Sequence, residues 1–299
     1  MVTEGKTLLK PGASVSEIRF TKLQGLGNDF LITLVEDVSR LQSARELAQQ
    51  MCERNFGAGA DGLMFVTRAR HEDADFASRL FNADGSEAEI SGNGTRCVAA
   101  YLYYAGMWKE PEVRIATAAG VKTGRLVAGE GLRYEFEFDM GEPRFSSKDV
   151  PMEIDAPLPQ IVRYPLHLGG DMLEVTCLSM GNPQCVIFVD DLGAVALAEI
   201  GPLIEDHPVF PNRTNVEFVR VVSRDEIEIL IWERGVGRTL SSGTGSCASA
   251  VAASLNGLTD RSVRVRTPGG ALRVDWRADN SVTLTGPAEV IYEGRWLGE

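Results

Sequence analysis

Residues 241–254 read SSGTGSCASAVAAS, a polar glycine turn that runs straight into small, helix-compatible side chains. The N–H groups of a first helical turn have no intrahelical partner and point outward, so a turn of this kind makes a ready holder for an anion. The chain contains the arrangement twice, the other copy being ISGNGTRCVAAYLYYAG at residues 90–106. In both copies serine stands nearest the anion position, as Ser91 and Ser242. Serine is also a favoured helix N-cap. A capping role and a ligand-facing role both fit these residues, and neither excludes the other.

The same order of elements surrounds each copy. Before the first, EIRFTKLQ and FLITLV read as strands flanking the turn GLGND. SARELAQQMCERN reads as a helix with Ser43 at its N-cap. DGLMFVTRARHEDADFASRLFNADGSE reads as two strands ending in an Asn-Ala-Asp-Gly turn. Before the second copy, NVEFVRVVSRDEIEILIWERGVG gives two strands joined by SRDE and then a glycine loop. From Asp61 to Ser91 and from Asn215 to Ser242 the spacing is about thirty residues, the mark of an internally duplicated α/β unit. Between the copies lie the strand-like stretches VKTGRLVAG, LRYEFEFDM, LEVTCLSM and QCVIFVDD, and the tail continues with ALRVDW and SVTLTGPAEVIYEG.

The expected fold class is therefore α/β (α+β): two similar pseudo-symmetric domains, each a mixed sheet with a glycine-started helix at its centre. The expected boundaries are an extension over residues 1–17, a first domain of 18–136 plus 287–299, and a second of 137–286. A pseudo-two-fold axis would turn both helix tips toward one cleft. There each dipole would contribute on the order of 1 kcal/mol to holding a carboxylate.

Bulk composition narrows the partners. Of 299 residues, 24% are charged and 44% hydrophobic, and the formal net charge of −12 argues against a nucleic-acid or anionic-membrane surface. No apolar run reaches the length of a bilayer span and no signal-peptide core opens the chain, so a cytoplasmic protein is expected. Cys52, Cys97, Cys177, Cys185 and Cys247 are scattered without a C-x-x-C pair, which suits free thiols. His71, His167 and His207 are too dispersed for a metal cluster, and the acidic, loop-like surroundings of His71 and His207 suggest solvated rings.

Seven ordered motifs, GLGNDF, GADGL, NADGSEAEISGNGTRC, MGNPQCVIFV, NRTNVEFV, WERGVGRTLSSGTGSCA and TPGG, together resemble the diaminopimelate epimerase family, from about Arg19 to the C-terminus. The resemblance implies two similar α/β domains, each with a mixed sheet around a central helix. It also implies stereoinversion at an amino-acid α-carbon, LL- to meso-diaminopimelate, in lysine and peptidoglycan precursor synthesis, with no cofactor and no metal. A small-molecule amino acid is the implied partner, and a homodimer is compatible with the resemblance.

The family works with two cysteines, one on each face of the substrate. Cysteine suits this because helix N-termini pull its pKa toward neutrality. Motif by motif those positions fall on Ser91 and Ser242, while Cys97 and Cys247 match non-catalytic positions further along each helix and read as packed small hydrophobes. The family's GNPH motif here reads GNPQ, with Gln184 in place of a base, and Arg238 in GVGRT stands where glutamate is usual. Arg238 adds a fixed charge near the centre if its loop points inward.

The recognition residues are by contrast all of the family type. The resemblance places Asn28, Asn82, Asn182, Asn215 and Arg234 around the distal amino-acid end of the substrate, with Glu233 beside the reacting amine. Gly92, Asn93, Gly243 and Thr244 supply N–H groups to the reacting carboxylate. Arg234 has the fork to clamp a carboxylate, and the asparagines orient carboxylate and ammonium groups without adding charge. A structural salt bridge is the alternative for Arg234, and a turn-forming role for Asn82. Because a hydroxyl is a far weaker acid than a thiol and needs a neighbouring base, three readings stand. They are an epimerase of this family, a divergent isomerase or dehydratase on another amino acid, and an amino-acid binder with weakened turnover.

Overall fold

The structure, a computed structural model, describes residues 17–36, 43–70, 72–89 and 91–297. The extension expected over residues 1–17 falls, but for Glu17, outside the described residues, and so does His71.

Two strands open the described chain, β1 (Ile18–Gly25) and β2 (Asn28–Leu34), paired antiparallel with Gly25 opposite Asn28. The two residues between them, Leu26 and Gly27, have φ of 56° and 84°. Positive φ at both central positions gives the hairpin the twist that its strands share. α1 (Ala44–Cys52) buries Leu47, Ala48, Met51 and Cys52. It stops short of the expected CERN end because Glu53 turns extended (φ −60°, ψ 129°) and its carboxylate accepts the Asn55 N–H at 2.6 Å, a local bond that competes with the helix ladder. Ser43 sits at the N-cap, its carbonyl accepting the Leu47 N–H at 2.8 Å, but its side chain makes no capping bond.

β3 (Gly62–Arg68), β4 (Phe76–Asn82), β5 (Glu87–Ala88), α2 (Gly92–Tyr104), β6 (Glu112–Thr117), β7 (Gly120–Glu130) and β8 (Arg133–Gly141) follow. β3 runs parallel to β2 and β6 parallel to β4, while β3–β4, β6–β7 and β7–β8 are antiparallel. Cys97, Val98, Ala99 and Leu102 of α2 pack against Leu23, Ile32, Met64, Phe76, Val113 and Phe136 from the strands. A helix apolar on nearly all sides has to lie inside its sheet.

The chain separates into two compact units, one of residues up to Phe138 with those from Pro287 on, the other Asp139–Gly286. The second unit contains β9 (Ile161–Leu168), β10 (Asp171–Ser179), β11 (Pro183–Phe188), α3 (Leu197–Glu205), β12 (Asn215–Ser223), β13 (Glu226–Glu233), β14 (Gly237–Thr239), α4 (Gly243–Leu255), β15 (Ser262–Thr267) and β16 (Gly270–Trp276). β17 (Val282–Trp296) serves both units, pairing with β16 through residues 282–285 and with β1 through residues 289–296.

From β10 onward the second unit repeats the first: an antiparallel pair, a helix, a parallel strand, its antiparallel partner, a short strand and a buried helix. α4 is buried without a break from Gly245 to Ala253. The expected fold class, mixed sheet wrapped around a central helix twice over, is borne out.

Candidate active site

Both buried helices start in the same way. Ser91 has φ −131° and ψ 122°, and its Oγ accepts the Gly94 N–H at 3.1 Å. Ser242 has φ −131° and ψ 127°, and its Oγ accepts the Gly245 N–H at 3.3 Å. Both serines are therefore N-caps, a bond worth about 1 kcal/mol to each helix. Accepting an N–H through an oxygen lone pair leaves the hydroxyl hydrogen free to be donated elsewhere. The N–H groups of Gly92 and Asn93, and of Gly243 and Thr244, precede the first residue that has an i−4 carbonyl within the helix, so each start offers an anion two donors. Ser91 is half-buried and Ser242 is 8% exposed.

In the first unit the structure brings Asn28 and Asn93 together. Asn93 Nδ2 donates to Asn28 Oδ1 at 3.4 Å, and Asn28 Nδ2 donates to Asp61 Oδ2 at 2.6 Å. Asp61 belongs to a charged network with Arg54 (2.7 Å), which also bonds Asp29 (3.0 Å), itself paired with Lys22 at 2.8 Å. Arg96, fully buried on α2, donates to Asn93 Oδ1 and to the Pro287 carbonyl. Asn82 ends β4 as a turn residue: its Nδ2 donates to Ser86 Oγ at 3.0 Å and its carbonyl accepts the Gly85 N–H. The turn-forming alternative for Asn82 thus describes its present bonds.

In the second unit, Gln184 Nε2 donates to Asn182 Oδ1 at 2.7 Å, and Asn182 Nδ2 reaches Thr244 Oγ1 at 3.4 Å in the first turn of α4. Gln184 holds Asn182 where a base was absent from the motif. Asn215 is bonded to the scaffold: one Nδ2 hydrogen is donated to the Pro183 carbonyl, and Oδ1 accepts the Arg234 N–H, both at 2.9 Å. Arg234 is exposed, with its guanidinium bonded to the Asn212 carbonyl at 2.9 Å. Glu233 accepts from Thr239 Oγ1 at 2.7 Å. Burial pushes the Glu233 carboxyl up, partly offset by that hydroxyl.

Arg238 pairs with Trp232, one residue before Glu233. Alternation puts it on the face of Trp232. The Arg238 side chain therefore leaves β14 on the opposite face of the sheet from Glu233.

Three residues that sequence reasoning did not single out stand close to these groups: Asp61, Arg96 and Glu217. Glu217 is fully buried on β12, and neither carboxyl oxygen has a partner among the described residues; Gln184 Oε1 and Ser241 Oγ are unpartnered likewise. Burial, and then the charge of Glu233, push the Glu217 carboxyl well above its ordinary range. A charged residue inside the apolar run NVEFV was the available signal.

Cys97 and Cys247 are fully buried, and burial raises the Cys97 thiol to about 12. His207 is half-buried. Its Nε2 lies 2.9 Å from the His167 carbonyl, its Nδ1 accepts the Val209 N–H, and Phe210 packs against the ring. An open depression of about 320 Å³ lined by Ser147, Lys148, Met152 and Pro211 contains none of the candidate residues.

Residues 20–146 and 176–291 match the family described as Diaminopimelate epimerase. A diaminopimelate epimerase of Pelotomaculum thermopropionicum is 46% identical over 280 residues, covering 93% of this chain and 99% of that protein. One of Halothermothrix orenii is 43% identical over 279 residues, covering 93% and 98%. Among solved structures, a hydroxyproline epimerase from Agrobacterium vitis shares the fold with a TM-score of 0.65 at 18% identity, covering 94% of this chain and 91% of that one. A probable proline racemase from Agrobacterium radiobacter does so with a TM-score of 0.64 at 18% identity, covering 93% and 92%. The relatives define an enzyme of the epimerase class. Within that class, the chain belongs to the diaminopimelate epimerase family.

Proposed function

We propose that this chain inverts the α-carbon of a diamino-dicarboxylic acid, taking LL- to meso-diaminopimelate for lysine and peptidoglycan precursors, with Ser91 and Ser242 on opposite faces of the substrate. The supporting observation is the pair of matched helix starts, each with a serine hydroxyl at the cap and, among the described residues, two N–H groups beside it without an intrahelical acceptor, in a chain 46% identical to a named diaminopimelate epimerase. In this reading residues 18–136 with 287–299 and residues 137–286 are two related domains. The N–H groups of Gly92, Asn93, Gly243 and Thr244 hold the reacting carboxylate, and Glu233 takes the reacting amine. Asn28, Asn82, Asn182, Asn215 and Arg234 receive the distal amino-acid end. One serine, as its alkoxide, removes the α-proton, its O–H bond forming as the Cα–H bond breaks, while the other hydroxyl returns a proton, its O–H bond breaking as the new Cα–H bond forms.

Each cap N–H and helix dipole stabilises negative charge on the serine oxygen, but a hydroxyl starts as a far weaker acid than a thiol. The native chain is therefore expected to exchange the α-hydrogen slowly in D₂O. The Ser91→Cys/Ser242→Cys variant is expected to exchange it about 10²–10⁴-fold faster, the range a well-placed acid or base contributes. Proton NMR of diaminopimelate reads the exchange directly. Equal rates would show that the serines do not limit the chemistry. Tight binding without exchange in either protein would leave the binder reading in its place. The proposal sets the enzyme in the cytoplasm and allows a homodimer, which sedimentation equilibrium checks.

A further inference from the structure

The two helix starts differ in what lies beneath them. Leu63 faces Phe81 across β3–β4 as Val216 faces Trp232 across β12–β13, so the next residues, Met64 and Glu217, hold corresponding places. Each presses on the glycine three past its capping serine. A Cβ added to Gly94 would meet Met64 Sδ at 3.0 Å, and one added to Gly245 would meet Glu217 Oε1 at 2.7 Å. The latter point is also 3.3 Å from Ser242 Oγ. The carboxyl and hydroxyl oxygens are thus at most about 6 Å apart, within reach of a side-chain rotation or one bridging water. A buried carboxyl without a partner is destabilising, and the first unit shows that a thioether fills the same place.

We propose that Glu217 is a proton relay behind Ser242, so that the second helix start has a carboxyl with which to exchange protons and the first has none. The inference rests on the reading of Ser242 as the hydroxyl at one face of the substrate. When Ser242 gives its hydrogen to the α-carbanion, its O–H bond breaks and a Cα–H bond forms. The Glu217 carboxylic acid then reprotonates the serine oxygen: the Glu217 O–H bond breaks, the Ser242 O–H bond reforms, and the negative charge rests on Glu217. Abstraction from that face is the reverse. Burial keeps Glu217 protonated before turnover, and the charge of Glu233 on β13 acts in the same direction. Besides Asp171 and Glu174 on β10, Glu226 and Glu228 on β13 and Arg220 on β12 itself, the packed elements carry the titratable groups Cys185 on β11, Cys177 on β10 and Cys247 on α4. All three cysteines are buried thiols, and burial raises Cys185 in particular.

The test is α-hydrogen exchange in D₂O, followed against pH, for the native chain, Glu217→Gln and Glu217→Met, the last copying the first unit so that folding is preserved. Exchange is expected to fall 10- to 100-fold in both variants with KM changed less than twofold. The native fall in rate at high pH, where the carboxylic acid is lost, is expected to disappear, and Glu217→Asp to recover part of the rate. In a Ser242→Cys background, Glu217→Gln is expected to cost less than threefold, because a thiol supplies its own proton. If the native chain exchanges and both Glu217 variants match its rate and profile, the relay is wrong and the proposed function stands. If the native chain exchanges nothing, the proposed turnover fails and the relay falls with it.

Discussion

At Glu217 burial, with the Glu233 charge behind it, holds the carboxyl well above its ordinary value. At Asp29 burial acts in the same direction but is outweighed by the bonds from Arg54 and Lys22, which hold it below. The two have opposite consequences for stability. With the folded-state value of Glu217 raised, the native chain keeps the proton longer than the unfolded chain does. Stability is then complete below the unfolded value and is lost as pH rises toward the folded one. Glu217→Gln removes that dependence. Its stability, read from thermal melts, is expected to gain on the native one as pH rises above the ordinary carboxylate range, at up to about 1.4 kcal/mol per pH unit. Parallel melting curves at all pH values would contradict the buried acid. Asp29 contributes stability above its unfolded value that is lost as pH falls, so Asp29→Asn is expected to flatten the acid side of the curve, read by the same melts. Ser91 and Ser242 were legible from the sequence because capping is local chemistry. Glu217 was not, because its burial depends on α4 lying over β12.

In an exposed helix, glycine to alanine gains about 1 kcal/mol. At Gly245 the new Cβ would meet Glu217 Oε1 at 2.7 Å, and overpacking of a tight core costs about 1–3 kcal/mol. Gly245→Ala is therefore expected to destabilise the chain, and Gly94→Ala to be milder, because the flexible end of Met64 can give way. Adding Glu217→Ala to Gly245→Ala should recover part of the loss in urea melts, a coupling that independent effects would not show. Helix identity was legible from the small-residue runs after Ser91 and Ser242. The end of α1 was not, since Glu53 closes it with a bond to backbone that follows the helix.

Over the whole molecule the last strand is the point of dependence, because β17 completes both units. Its later residues pair with β1, Ala288 and Val290 enter the core around α2, and the Pro287 carbonyl accepts from the buried Arg96. Deleting residues 287–299 is expected to abolish hydrogen-exchange protection in α2 while peptides from α4 stay protected, since the core around β10–β13 lies within residues 139–286. Retained protection in α2 would show that the first unit closes without its returning strand. The repeat behind this arrangement was visible in the order of motifs, whereas the bonds that β17 makes to distant strands were not.

By itself the sequence determined the class of fold, the two capped helix starts and the family, because local periodicity, capping chemistry and ordered motifs are written in neighbouring residues. The tertiary structure alone decided how these residues are used. It put Arg238 on the Trp232 face, bonded His207 to a carbonyl forty residues away and Asn215 to two backbone groups, and buried Glu217 against the glycine that caps onto Ser242. Which face a strand turns inward, and which side chain loses its water, follow from packing between segments far apart in the chain, and no short stretch of residues contains that information.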